Sequence, residues 1–265
     1  MIEVANVKKT FDDLVLLDDI SFSIAKGEKV SLLGPGACGK STVVKLILGI
    51  IPPDSGKIDL MGMDMVESPE SRRQENLRKM GIAFQQGALF DYMTVEDNLK
   101  FAMENMTNFD ETEMDRRIES LLATVKLSRT RRMYPYELSG GMQRRVGVAR
   151  ALTTGPDVAI FDEPTSGLDP VTSTIILNMI NELVDITTGK SMMVVTSSVE
   201  IAIRFADRVI LLYDGKIVAD GLWRDLIVSG PEWVQKFLGV RMIGIDLENA
   251  YELGLPEEFI KRHWK

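Results

Sequence analysis

The chain has 265 residues and a formal net charge of −8, with 45% hydrophobic and 26% charged residues. This composition is that of a globular protein long enough to bury a full core. The negative charge argues against a general nucleic-acid binder, which needs clustered Lys and Arg to contact phosphates. The single cysteine, Cys38, excludes an internal disulfide and fits a reducing cytoplasm, and the single histidine, His263, argues against a His-rich metal site or a His-based triad.

The sequence shows neither a membrane span nor a signal peptide. A spanning helix needs about 18 or more consecutive apolar residues, and charges or glycines interrupt every apolar run before that length. The first residues lead directly into a strand-like pattern, without the basic and apolar succession of a leader. We therefore expect a protein that does not cross a membrane. The short basic runs 129–132 and 144–145 are interpreted as solvated faces.

The N-terminal 28 residues predict three short strands, over residues 3–7, 14–17 and 20–24. Phe11 falls in the predicted loop between the first two strands. Its ring is available there to stack on a nucleotide base, and an ordinary place in the core is the alternative.

A glycine-rich stretch with the spacing G-x-x-x-x-G-K-S follows a strand-like run (29–33) and precedes a helix-like run (43–48). In this context it predicts a phosphate-binding loop, because free backbone N–H groups and the helix dipole favour an anion at a helix N-terminus. Lys40 is expected to reach the β and γ phosphates and Ser41 to hold Mg²⁺. The predicted nucleotide-binding residues of this phosphate loop are Gly34, Pro35, Gly36, Ala37, Cys38, Gly39, Lys40, Ser41 and Thr42.

After the loop, residues 57–62 predict a strand and the charged residues 67–79 a surface helix. A buried strand over residues 80–84 then delivers Gln85 at its C-terminal end, the end at which ligands lie in open α/β sheets.

From about 93 to 155 the strand signal vanishes, which predicts an inserted helical subdomain. Thr94 and Asp110 begin patterns typical of capped helices. Apolar residues follow the second cap at helical spacing, namely Ile118, Leu121, Leu122 and Val125. The subdomain ends in the signature segment (residues 138–142), where Ser139, Gly140 and Gly141 open a helix predicted over 144–152 and leave backbone N–H groups free.

The all-apolar run 158–161 predicts a strand covered on both faces, and it ends in Asp162 and Glu163. Beside a phosphate loop, Asp162 is expected to bind Mg²⁺, and Glu163 to orient or deprotonate the attacking water. A tight loop, residues 166–169, follows and ends in Asp169.

The last third of the chain predicts a helix, a buried strand (192–196) that delivers Ser197, and a hairpin turning at Asp214-Gly215. Residues 222–238 are predicted as helical, and a tail from about 240 contains a last helical turn or two at 256–260. The side chains predicted to face inward from the helix after Asp169 are Ile175, Ile176, Met179, Ile180 and Leu183. In the tail, the apolar side chains of Phe259, Ile260 and Trp264 are costly to expose to water. We expect them to pack either on a partner subunit or on their own chain.

The order of phosphate loop, Gln85, signature segment, Asp162-Glu163 and the 166–169 loop closely resembles the ATP-binding-cassette (ABC) ATPases over residues 1–238. The resemblance implies an α/β P-loop NTPase fold with an antiparallel β subdomain, an inserted helical subdomain at 93–155 and a C-terminal extension at 239–265. It also implies ATP and Mg²⁺ as cofactors, and a head-to-tail homodimer that encloses two ATP molecules.

On the family pattern, Phe11 stacks on adenine, and Gln85 links Mg²⁺ and the attacking water to a membrane partner. Ser139, Gly140 and Gly141 contact the ATP of the opposite subunit, and Asp169 lies across the dimer seam. The metal-binding positions implied are Ser41, Gln85 and Asp162, and the catalytic positions are Glu163, Gln85 and Ser197.

Within the family, residues 84–91 and 137–142 look like the ATPase of Mla-type phospholipid transporters, which work with an integral membrane permease and a lipid-binding MCE-domain protein. The implied location is peripheral, at the cytoplasmic face of the inner membrane. Three departures from many relatives matter. Gly36-Ala37 stand where serine then glycine are usual, Cys38 is unusual, and Ser197 occupies the place of a switch histidine, which predicts slower hydrolysis.

Two other interpretations remain open. One is a soluble cassette ATPase that moves no solute, of the kind that serves iron–sulfur assembly. The other is a mainly regulatory nucleotide binder, which the serine at position 197 favours. A permease that co-purifies with the chain would distinguish the transporter subunit from both.

Overall fold

The computed structural model describes residues 1–85, 87–186 and 189–241. The chain divides into two compact units. The first comprises Met1–Ala25, Lys29–Glu67 and the described chain from Val194 onward, and the second comprises Lys26–Glu28 and Ser68–Met193. The predicted helical turns at 256–260, with Phe259, Ile260 and Trp264, lie outside the described residues, as does His263.

The strands are, in chain order, β1 (Ile2–Phe11), β2 (Leu14–Ile24), β3 (Lys29–Leu33), β4 (Ser55–Leu60), β5 (Met63–Asp64), β6 (Met80–Ala83), β7 (Val158–Asp162), β8 (Ser191–Thr196), β9 (Arg208–Tyr213) and β10 (Lys216–Leu222). The helices are α1 (Lys40–Ile47), α2 (Glu70–Leu77), α3 (Val95–Met106), α4 (Glu111–Thr124), α5 (Gly140–Leu152), α6 (Pro170–Ile186), α7 (Val199–Phe205), α8 (Trp223–Ser229) and α9 (Glu232–Arg241).

The first unit contains an antiparallel sheet in the order β2-β1-β4-β5. Residues 3–7, 14–17 and 20–24 are strand as predicted, but they belong to two long strands, because the pairing of β1 with β2 continues to Phe11 and Leu14. The expectation that Phe11 lies in a loop is therefore wrong, since Phe11 is the last residue of β1.

The first unit also contains part of a mixed sheet, in which β3 pairs in parallel with β9, and β9 pairs antiparallel with β10. The predicted hairpin at Asp214-Gly215 is confirmed. Both turn residues have positive φ, 46° and 71°, as a two-residue turn between twisted strands requires. The predicted helix 222–238 is in fact two helices, α8 and α9, because Pro231 cannot continue a helix through its own position.

In the second unit β6 pairs in parallel with β7, and every residue of β7 is buried. Both helix caps predicted for the 93–155 segment are confirmed. The Thr94 hydroxyl accepts from Asp97 N in a capping box, and Asp110 Oδ1 accepts from Glu113 N at 2.8 Å. The helix predicted over 144–152 begins earlier, at Gly140.

Four of the five residues predicted to face inward on α6 are buried. The prediction for Ile175 is wrong, because this residue is 40% exposed. At 100° per residue, Ile175 lies at the edge of the stripe formed by the other four. No helix within the three described ranges has the length and apolar character needed to cross a membrane.

Candidate functional site

The phosphate loop lies in the first unit, between β3 and α1. Gly34 N donates to the Thr196 carbonyl at 3.3 Å, and a Cβ added at Gly34 would lie 2.2 Å from the Leu212 carbonyl oxygen. Only glycine fits this close approach of two backbones. α1 begins at Lys40 after Gly39, whose φ is 102°, and no side chain caps its first turn. The loop therefore presents a helix N-terminus of the kind that binds anions.

Lys40 is folded back over the loop that precedes it. Its Nζ donates to the carbonyls of Gly34 at 3.0 Å and Pro35 at 2.8 Å, and the residue is only 5% exposed. A buried ammonium that is held by neutral carbonyls gains a stronger partner when phosphate oxygens come within reach. This position suits a lysine that binds a phosphate chain.

Ala37 adopts a left-handed backbone conformation, with φ of 61°. Such a conformation costs a residue with a Cβ about 1–2 kcal/mol. The departure noted in the sequence at Ala37 is therefore a source of backbone strain within the phosphate loop. Cys38, beside it, is partly buried.

Two other predicted residues belong to the same unit as the loop. Phe11 is 43% exposed, and Lys9 Nζ lies 5.5 Å from the centre of its ring. Ser197 is exposed and directly follows Thr196, whose carbonyl accepts from Gly34 N. The end of β8 thus brings Ser197 to the start of the phosphate loop. Its neighbour Ser198 is engaged elsewhere, since the Ser198 hydroxyl caps α7 by accepting from Ile201 N at 3.3 Å.

The second unit carries the predicted acidic residues. Asp162 is the buried last residue of β7, and Glu163 follows in a left-handed conformation with φ of 45°. Such strain at a residue with a side chain is typical of functional positions. Gln85, two residues after the end of β6, is exposed, and its Nε2 donates to Ser166 Oγ at 3.3 Å. The loop after Glu163 and the glutamine are therefore neighbours within this unit.

The signature segment opens α5 in the second unit. Ser139 Oγ accepts from Met142 N at 3.3 Å and caps the helix, and a Cβ added at Gly141 would lie 3.0 Å from Thr172 Cγ2. Asp169 accepts from both Thr172 N, at 3.0 Å, and Thr172 Oγ1, at 2.6 Å, and these bonds lower its pKa. The start of α5 thus lies beside the start of α6.

The expectation that Arg144 and Arg145 form a solvated face is wrong, because both residues are partly buried, and this burial lowers the pKa of both guanidinium groups. The negative charge of Glu163 acts on Arg144 in the opposite direction, which places the two side chains within electrostatic range. Arg144 Nη1 is buried and has no hydrogen-bond partner in the described part of the chain. No local pattern in the sequence distinguishes this arginine from a surface residue.

Comparisons with known proteins identify the family of the chain. The family model described as ABC transporter matches residues 17–166. The chain is 34% identical to the intermembrane phospholipid transport system ATP-binding protein MlaF of Haemophilus influenzae, over 90% of each chain. It is 35% identical to Protein TRIGALACTOSYLDIACYLGLYCEROL 3, chloroplastic, of Arabidopsis thaliana, covering 89% of this chain and 73% of that protein. It is 36% identical to the arginine transport ATP-binding protein ArtM of Bacillus subtilis, covering 86% and 94%.

Two dimeric structures of the ATP-binding cassette MJ0796 are similar in fold, with TM-scores of 0.76 and 0.77. They are 29% and 30% identical in sequence and cover 84% of this chain and 98% of the cassette. One of them is a post-hydrolysis state bound to ADP and Pi. On these grounds the chain belongs to the ABC transporter family, as an ATP-binding cassette that hydrolyses ATP with Mg²⁺ as cofactor.

Proposed function

We propose that this cassette is the energy-supplying subunit of a phospholipid transporter. The observation that carries the proposal is the similarity to the phospholipid transport ATPase MlaF along 90% of both chains. The similarity to ArtM, an arginine transport protein, is of the same degree. The transported substrate therefore has to be decided by experiment.

ATP binding is assigned to the first unit. The backbone N–H groups of residues 34–42 and the Lys40 ammonium bind the phosphates, and the exposed ring of Phe11 stacks on adenine. Mg²⁺ in such sites is held by one or two side-chain oxygens together with substrate phosphates. The oxygen ligands that we assign to Mg²⁺ are the Ser41 hydroxyl, the Asp162 carboxylate and the Gln85 amide oxygen.

Hydrolysis is assigned to Glu163, Gln85 and Ser197. Glu163 accepts a proton from the water whose oxygen attacks the γ-phosphorus, and the bond from that phosphorus to the leaving ADP oxygen breaks. Mg²⁺, when held by Ser41 and Asp162, would supply positive charge to the phosphate oxygens. Gln85 orients the water, and the Ser197 hydroxyl supplies a neutral hydrogen bond where a histidine would supply a charged one.

Two copies form the working unit, with the signature segment of each copy on the ATP of the other. The dimeric solved cassettes support this arrangement. Ser139 suits it chemically, because a hydroxyl that accepts a helix N–H still has its own proton to donate to a γ-phosphate oxygen. Gly140 and Gly141 offer backbone donors beside it, and Asp169 lies at the seam.

The dimer is proposed to act at the cytoplasmic face of the inner membrane, on an integral permease that works with a lipid-binding MCE-domain protein. ATP favours the closed dimer, closure moves the permease, and hydrolysis reopens the dimer. The domain limits 1–238 and 239–265, with the helical subdomain at 93–155, are part of this proposal.

The test is to purify the tagged chain from membranes, to identify the proteins that accompany it, and to analyse bound lipid. A co-purifying permease with phospholipid, and ATP hydrolysis stimulated by phospholipid but not by arginine, is the expected result. Recovery of the chain with scaffold proteins and no membrane protein would favour the soluble iron–sulfur class. ATP binding without turnover in the assembled complex would favour a regulatory role.

A further inference from the structure

Arg150, near the C-terminal end of α5, binds the chain that follows Gln85. Its Nη1 donates to the Ala88 carbonyl at 2.9 Å and its Nη2 to the Gly87 carbonyl at 3.2 Å. The guanidinium also lies 5.9 Å from the centre of the Phe90 ring. The helix that carries Arg150 is the one that Ser139 caps, about 16 Å away at 1.5 Å per residue.

The segment that Arg150 holds is pressed closely against the same helix. Gly87 and Ala88 both have positive φ, 73° and 48°, and a Cβ added at Gly147 would lie 2.9 Å from Gly87 Cα. Two consecutive left-handed residues need outside contacts to keep their conformation, since an isolated alanine disfavours it. Arg150 supplies those contacts as hydrogen bonds to both carbonyls.

Stability alone does not account for an arginine at this position. Burial lowers its pKa, and within residues 1–85, 87–186 and 189–241 no carboxylate forms an ion pair with it. A desolvated charge without a counter-charge is costly unless hydrogen bonds satisfy it. The two carbonyls, in contrast, match the planar fork of a guanidinium.

We propose that Arg150 is a positioning residue for ATP hydrolysis, because it joins the segment after Gln85 to the helix that begins at the signature segment. When α5 moves, the backbone of residues 87 and 88 moves with it, and this movement changes the position of the Gln85 side chain. This inference rests on the roles proposed above for Gln85 and Ser139.

The test compares Arg150→Met and Arg150→Lys with a matched control, Arg145→Met, in the full-length protein. Arg145 lies on the same helix, is desolvated in the same way, and donates to the Val125 carbonyl at 3.0 Å, away from Gln85. For Arg150→Met we expect kcat for ATP hydrolysis to fall about tenfold, with KM for ATP nearly unchanged. Its melting temperature should fall about as much as that of Arg145→Met, since both variants leave backbone carbonyls without their donor. Arg150→Lys, which keeps a donor, should recover part of the rate, and Arg145→Met should hydrolyse ATP at the wild-type rate.

A second readout does not depend on turnover. Amide hydrogen exchange of residues 84–90 in the nucleotide-free protein should become faster in Arg150→Met and stay unchanged in Arg145→Met. In addition, Arg150→Met should cost little more rate in a Gln85→Ala background, because both changes act through the same side chain.

Wild-type kcat and exchange in Arg150→Met, or equal losses in Arg145→Met, would overturn the inference. So would a full tenfold loss on top of Gln85→Ala. Failure of phospholipid to stimulate the enzyme would overturn only the proposed substrate, since basal hydrolysis and exchange are compared here without lipid.

Discussion

The side-chain amide of Asn98 forms two hydrogen bonds with the backbone N–H and C=O of Phe90, as a neighbouring strand would. Asn98 Oδ1 accepts from Phe90 N at 2.8 Å, and Nδ2 donates to Phe90 O at 3.1 Å. The same Nδ2 lies 3.2 Å from Met93 O and 3.0 Å from Thr94 O. Asn98 is fully buried, so one side chain of α3 satisfies the backbone of the loop that leads away from Gln85.

We therefore expect Asn98→Ala to lower the free energy of unfolding by about 2–3 kcal/mol, because it leaves buried backbone groups without partners. Asn98→Asp should cost more, since a carboxylate has no proton to offer the three carbonyls. Asn105→Ala is the control. Asn105 Nδ2 donates to Phe101 O from an exposed position on the same helix, and its loss should cost less than about 0.5 kcal/mol. Equal denaturation midpoints for Asn98→Ala and Asn105→Ala would contradict the assignment.

Glu163→Gln should keep ATP binding and lose hydrolysis by about 10²-fold or more, since an amide cannot accept the proton of the attacking water. The variant should also accumulate as an ATP-bound dimer, which gel filtration with Mg-ATP detects. Glu119→Gln, on the exposed face of α4, serves as the control for loss of one negative charge. Hydrolysis by Glu163→Gln at a near wild-type rate would end the assignment of Glu163 as the base.

Ala37→Gly should stabilise the nucleotide-free protein by about 0.5–1 kcal/mol, because glycine adopts the left-handed conformation without a Cβ clash but loses more entropy on folding. Thermal unfolding should show this as a rise of roughly 2 °C. Gly39→Ala is the opposite test. The φ of Gly39 is 102°, and an added Cβ would lie 2.8 Å from Leu17 Cδ2, so this variant should be less stable. A lower melting temperature for Ala37→Gly would show that Ala37 is unstrained.

Ser197→Ala should lower ATP hydrolysis several-fold with nearly unchanged ATP affinity, and Ser197→His should raise hydrolysis. The reason is that a hydroxyl or imidazole near the γ-phosphate stabilises charge that develops in the transition state, and strong donors of this type contribute on the order of 10²-fold. Ser198→Ala separates this effect from folding, since it removes the cap of α7 and should cost about 1 kcal/mol of stability. If Ser197→Ala matches the wild type in turnover, Ser197 only fills space.

Alkylation of Cys38 should block ATP binding, and bound Mg-ATP should protect the thiol. Cys38 is the only cysteine, so labelling of the whole chain reports on this residue. Its place beside Lys40, near the N-terminus of α1, favours the reactive thiolate. Cys38→Ser should resist the reagent and remain active. Identical labelling rates with and without Mg-ATP would place the thiol away from the nucleotide.

Features that depend on neighbouring residues could be predicted from the sequence. The phosphate loop, the caps at Thr94 and Asp110, and the turn at Asp214-Gly215 each depend on side chains and backbone conformations a few residues apart. The order of the phosphate loop, Gln85, the signature segment, Asp162-Glu163 and the 166–169 loop along the chain was enough to indicate the family. Periodicity also identified the buried face of α6, except at Ile175, which lies at the edge of that face.

Contacts between distant parts of the chain were decided only by the tertiary structure. Phe11 is in a strand because β2 continues to pair beside it, and Arg144 is partly buried although it belongs to a basic pair on a helix. The partners of Arg150 lie 62 and 63 positions away from it in the sequence. A guanidinium on a helix has the same local pattern whether it faces solvent or a carbonyl, so only the packing of α5 against residues 87 and 88 identifies the partners of Arg150.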